Sequence, residues 1–153
     1  KHEQEAVESF DATNGDDLRE KVAATIVRRR GQPAFRKKLI EAYHGTCAFT
    51  GCNAVDALEA AHILGYLGEQ SHHINNGLLL RADCHVLFDL GLLGVDSETM
   101  TIVVAPTLLS TSYSELEGQP LKIPCDQIQQ PDLKALKKHG LNKFRCAGPT
   151  ESS

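Results

Sequence analysis

LEAAHIL at 58–64 and NNGLLLRADCHVLFDLGLL at 75–93 decide how this chain is read. The first is a run of small and apolar residues with strand character, followed by the polar loop GYLGEQSHHINN at 65–76. GLLLRA at 77–82 reads as a second short strand. DCHVLFDLGLL at 83–93 has the length and the i, i+4 pairs of a helix, with Asp83 as its N-cap and Gly91 as its stop. The predicted unit is strand, loop, strand, helix.

A lone histidine in an apolar run is ordinarily a satisfied core residue. His62 has company. Asn76 opens the second strand, and His85 and Asp89 stand four apart on one face of the helix. A histidine and a carboxylate at that spacing can grip one divalent cation, with water or substrate oxygens completing its shell. Read singly, Asn76 before Gly77 is a turn signal and His85 with Asp89 a surface helix pair. Neither reading explains why both fall in one frame with His62.

Outward from this unit, a helix is expected over 16–29, capped near Asp16 or Asp17, with Val22, Ile26 and Val27 as its apolar side. Gly31 and Pro33 break it, and Pro33 suits the first turn of a second helix through Tyr43. In that helix Phe35, Leu39 and Tyr43 recur every four residues as a buried stripe, leaving Arg36 and Lys37 free for solvent or a phosphate. LLGVD and TIVVAP flank the turn SETM as a hairpin, and 113–124 is irregular. A terminal helix is expected over 131–144, with Leu133, Leu136 and Phe144 packing inward.

The segments LEAAHI and NNGLLLRADCHVLFDLGLL together resemble the HNH nucleases, whose ββα-metal motif has its landmarks at the positions of His62, Asn76 and His85. Within that superfamily they are similar to the branch reading A-A-H-I, N-G-L-L-L and H-x-L-F-D, often found with SRA-type readers of modified DNA in restriction proteins. The similarity extends over about residues 28–145, through RRRGQPAFRKKLIEAY, CAFTGC, PLKIP and KKHGLNKF. It implies an α+β fold, a ββα-metal HNH core flanked by N-terminal helices, a β-hairpin and a C-terminal helix. It also implies a metal-dependent endonuclease that hydrolyses DNA phosphodiesters in restriction or phage defence, leaving a 5′-phosphate and a 3′-hydroxyl.

The resemblance assigns His62 as general base and His85 with Asp89 as ligands of a divalent metal, Mg²⁺, Mn²⁺ or Ni²⁺. Asn76 would brace the loop and orient His62. Many HNH enzymes place a further metal ligand just before the base, where this chain has Ala61. Two protein ligands remain, which implies weak metal affinity. Glu59 is the nearest acid, but on an alternating strand it points with Ala61, away from His62, and suits a supporting place behind the ligands. Ala61 and the negative net charge leave open an alternative: a catalytically inactive HNH-fold module that binds nucleic acid.

Composition bounds the rest. The 153 residues suffice for one domain with a core, and no run approaches the length of a membrane span. The expected division is an acidic lead-in or linker over 1–20, a nuclease domain over 21–146 and a disordered tail over 147–153. Net charge is −4, yet residues 1–20 alone carry −5, so the remainder sums to +1. Within it, Arg28, Arg29, Arg30, Arg36, Lys37 and Lys38 form a basic stretch without an acid. A second stretch holds Lys134, Lys137, Lys138, Lys143 and Arg145. The first is the candidate DNA-binding surface, against the alternative of solvated helix faces.

Five unevenly spaced cysteines and no secretory signal argue against a disulfide framework and for the cytoplasm. Cys47 and Cys52 have zinc-ligand spacing, but no second pair accompanies them, so buried thiols are favoured over structural zinc. His72 and His73 are expected to be exposed in the loop. The start on Lys1 is compatible with a fused or partner DNA-reading domain upstream. Cutting both strands needs two events, which makes a homodimer a further expectation.

Overall fold

A computed structural model of the chain describes residues 15–65 and 67–140. The expected ends of the chain, together with Phe144, Lys143, Arg145 and Cys146, lie outside them.

The centre of the fold is a two-stranded antiparallel sheet, β1 (Leu58–His62) and β2 (Gly77–Arg81), in the register Leu58 to Arg81 and His62 to Gly77. Helix α2 (Pro33–Ala42) packs on one face of the sheet, and α3 (Ala82–Asp89), which follows β2 directly, packs on the other. Leu78, Leu79 and Leu80 are fully buried because both faces of the sheet are covered. The second sheet is the expected hairpin, β3 (Leu93–Asp96) with β4 (Thr101–Val104), and α4 (Leu133–His139) packs against β3. This is the α+β arrangement expected, a ββα core with helices before it and a hairpin and helix after it.

Local chemistry explains the elements around the sheet. Pro33 opens α2, where its missing N–H costs nothing, and the Gln32 side chain accepts from the Phe35 N–H. Phe35, Leu39 and Tyr43 form the buried stripe expected of them. Gly31, at φ +103°, turns the chain between α1 (Gly15–Arg29) and α2, and the preceding carbonyl of Arg30 accepts from the Ala60 N–H of β1. Gly77 is where α2 comes closest. A Cβ there would sit 2.7 Å from Phe35 Cζ, so only a residue without a side chain lets that ring in.

Four expectations need correction. Val22, Ile26 and Val27 are exposed on α1, as is Leu18, so the apolar side of that helix packs on nothing among the described residues. Asp83 does not cap α3: the N-cap position is Arg81, and the Asp83 carboxylate instead binds the Arg81 guanidinium at 2.7 and 2.9 Å and accepts from the Tyr113 hydroxyl at 2.5 Å. Those partners, Arg81 foremost, hold its carboxyl down to about 2 against the opposing effect of burial. Leu133 is exposed, while Ala135, Leu136 and His139 form the inner side of α4, and the His139 ring stacks on Phe88 at 3.8 Å. Arg36 is not free: its Nε donates to the Leu58 carbonyl at 3.2 Å and its Nη2 to the Val55 carbonyl at 2.9 Å.

Candidate active site

His62 ends β1, on the strand face that meets α2. Its ring lies flat against Phe35, centroids 4.7 Å apart and planes within 6°. Its Nε2 is 3.1 Å from Nδ1 of His72, so one ring donates to the other. Burial lowers the His62 pKa, the neighbouring His72 and His85 lower it further, and Asp89 opposes them. His62 is therefore close enough to both helical residues for their charges to act on it.

Asn76 is buried just before β2 and uses its whole amide. Its Oδ1 accepts from the Leu64 N–H at 2.9 Å, and its Nδ2 donates to the carbonyls of Leu64 and Ser71, each at 3.0 Å. Its backbone carbonyl also accepts from the Ile63 N–H at 2.9 Å. These bonds tie both ends of the 63–76 loop together. None of them reaches the His62 ring, whose partner is His72.

His85 and Asp89 meet as their spacing on α3 requires, with Nε2 to Oδ2 at 3.3 Å. The other ring nitrogen of His85, Nδ1, is 2.7 Å from Oε1 of Glu59, a carboxylate only 10% exposed. Glu59 does point away from His62, as strand alternation dictates, and α3 lies on that opposite face. Burial works against the charged form of His85, but the hydrogen bonds to Asp89 and Glu59 outweigh it and raise its pKa.

This donor set fits a divalent cation. A carboxylate on Nδ1 fixes the ring and directs Nε2 outward as the ligating atom, the usual arrangement behind a metal-bound histidine. Two donors each about 2.1 Å from an octahedral ion, in adjacent positions, lie about 3 Å apart. The 3.3 Å between Nε2 and Oδ2 is near that separation. Among the described residues no group of three or more His, Cys, Asp or Glu side chains is arranged to hold a metal ion, so the pair supplies two protein ligands at most.

Of the basic stretch, Arg28, Arg29, Lys37 and Lys38 are exposed. Arg30 turns back to the Asp56 carboxylate at 3.4 Å, and Arg36 is held on the carbonyls of Leu58 and Val55. Cys47 and Cys84 are buried free thiols, Cys52 is half-buried and Cys125 exposed. The Cys47 sulfur accepts from the backbone N–H groups of Thr50 and Arg81 at 3.3 and 3.2 Å, tying the CAFTGC turn to the β2–α3 junction. The neighbouring Cys84 thiol is the largest cause drawing the Cys47 pKa down to about 5.

Sequence reasoning missed two participants. Against expectation, His72 is half-buried and bonded to His62, and Phe35, read as core, is also the platform under both imidazoles. The four-residue stripe marks Phe35 as buried without saying against what.

A strand pair with a helix laid across it, His at the end of the first strand and His on the helix, is a ββα arrangement. Residues 47–96, which include β1, β2, α3 and β3, match the HNH endonuclease family. A solved structure described as a modification dependent TagI restriction endonuclease shares the fold, with TM-score 0.52 and 22% identity over 74% of this chain. The chain spans 37% of that protein's length. No curated protein matches it. Among the described residues no helix is long and apolar enough to cross a membrane.

Proposed function

We propose that this chain is the nuclease domain of a metal-dependent HNH endonuclease that hydrolyses DNA phosphodiester bonds. The observation that carries the reading is the 3.3 Å approach of His85 Nε2 to Asp89 Oδ2, backed by Glu59 on the other side of the same ring. His85 and Asp89 would hold the cation, which when bound offsets negative charge growing on the phosphate and leaving oxygens. His62, kept neutral chiefly by burial, takes the proton of the attacking water. The water oxygen bonds to phosphorus as the P–O3′ bond breaks, and the leaving oxygen is protonated by solvent. Asn76 keeps the loop in place.

Arg28, Arg29, Lys37 and Lys38 would neutralise phosphates and position the duplex without reading bases. Base selection then belongs to a further DNA-reading domain or partner. The description of the similar solved structure as modification dependent supports that reading, as does the small share of it that this chain covers. Restriction or phage defence in the cytoplasm is the setting this implies.

A plasmid-nicking assay with Mg²⁺, Mn²⁺ or Ni²⁺ tests the proposal. Nicking by the wild-type chain and its loss in His62→Ala is the expected result. DNA binding without cleavage under every metal would instead support an inactive DNA-binding module.

A further inference from the structure

Two imidazoles 3.1 Å apart, nitrogen to nitrogen, cannot both play the same part. If His72 donates, His62 Nε2 is the acceptor and its Nδ1 carries the proton, so neither nitrogen of His62 can take another. If His62 donates, its Nδ1 is a free lone pair. Only the second arrangement leaves a base. From this we infer that His72 is the positioning residue of the site: its Nδ1 accepts a hydrogen bond from His62 Nε2–H and so presents His62 Nδ1 to the attacking water. The inference rests on His62 being the base.

Three features of the surroundings support it. The stack on Phe35 fixes the plane of the His62 ring but cannot choose between its two flips, since a half-turn merely exchanges Nδ1 with Cδ2 and Nε2 with Cε1. The bond to His72 distinguishes them, because a flipped ring would offer carbon there. His72 itself is anchored. It ends the one-turn helix Gln70–His72, whose Ser71 carbonyl accepts from buried Asn76 and whose Ser71 hydroxyl accepts from the Leu67 N–H at 2.9 Å. Asn76 thus acts on His62 through Ser71 and His72, which accounts for a buried amide that never touches the ring it serves. Finally, when Nδ1 takes the proton, Nε2–H becomes a charged donor and its bond to His72 strengthens. Of the other elements packed here, α2 presents the neutral ring of Phe35, and α3 contributes the charges of His85 and Asp89.

The test reads the ring directly and then the reaction. Long-range ¹H–¹⁵N correlation spectra of the metal-free ¹⁵N-labelled chain should show His62 as the Nε2–H tautomer. His72→Ala should mix the tautomers, and His72→Gln, whose amide oxygen can still accept, should restore the single form. In plasmid nicking, His72→Ala should lower kcat about ten- to a hundredfold with KM for DNA within about twofold, and His72→Gln should recover much of the loss. A wild-type His62 carrying its proton on Nδ1, or a His72→Ala chain with unchanged tautomer and kcat, would overturn the inference. Nicking that ignores His72 would overturn the positioning role alone, whereas a wild-type chain that never nicks would remove the base assignment beneath it.

Discussion

Glu59 and His85 form a partly buried pair across the β1–α3 interface, Oε1 to Nδ1 at 2.7 Å. The strand that ends in the candidate base therefore also carries the group that orients the candidate metal ligand, on its opposite face. Because the carboxylate holds Nδ1–H, Nε2 is the nitrogen left for a cation, and the negative charge behind the ring raises its basicity toward that cation. Glu59→Gln keeps an acceptor in the same place and removes the charge. Mn²⁺ affinity measured by calorimetry should fall about ten- to a hundredfold while the fold is retained. Unchanged affinity would mean that Glu59 merely fills the interface.

The pH dependence of cleavage should have two regimes. The His62 pKa is lowered, chiefly by burial, so its neutral form persists below the ordinary imidazole range near 6.5 and is lost only as pH falls through the lowered value. The His85 pKa is raised, so protons compete for Nε2 at a higher pH than they reach His62. At low Mn²⁺ the acid limb of the rate should follow His85. Saturating Mn²⁺ should displace it to lower pH until His62 sets it. A limb that stays at one pH across a hundredfold change in Mn²⁺ would contradict this order of protonation.

Gly77 faces His62 across the sheet, in the slot where Phe35 enters. Gly77→Ala would put a methyl group 2.7 Å from Phe35 Cζ and 2.9 and 3.0 Å from the Leu39 methyls, in a core with no free volume there. Thermal unfolding should show a loss of about 1–3 kcal/mol. Nicking at a temperature where the variant remains folded should fall further, because displacing Phe35 moves the platform under His62 and His72. Loss of stability with full activity would separate the platform from the chemistry.

The ββα frame was legible because its signals are local. The apolar run over 58–62 and the i, i+4 spacing of His85 and Asp89 are each read within a few residues. The loop between them was not legible. His72 reaches His62 only because the three side-chain hydrogen bonds of Asn76 fold 64–71 back on itself, and no periodicity encodes that. Alternation assigned Glu59 to the correct face, but it does not say that α3 covers that face, so the bond to His85 lay beyond it. The stripe on α1 shows the limit from the other side. Leu18, Val22 and Ile26 repeat every four residues, as buried helices do, yet all three are exposed.

The basic stretch divides by what each cation already holds, and the division can be measured. Lys37 and Lys38 are exposed on α2, where their ammonium groups face solvent, so removing either should weaken DNA binding without regard to sequence. In titrations across salt concentration, taking away one lysine–phosphate ion pair should flatten the slope of log K against log salt by about 0.9. Arg36, on the same helix, donates to the carbonyls of Leu58 and Val55 and so fastens α2 to the start of β1. Arg36→Ala should leave the salt slope alone and lower thermal stability by about 1–3 kcal/mol, since the partly buried Leu58 carbonyl and the exposed Val55 carbonyl lose a charged donor. If Arg36→Ala instead flattened the slope and spared stability, its guanidinium would have to leave those carbonyls for phosphate when DNA binds, and the rigid junction drawn between α2 and β1 would be wrong.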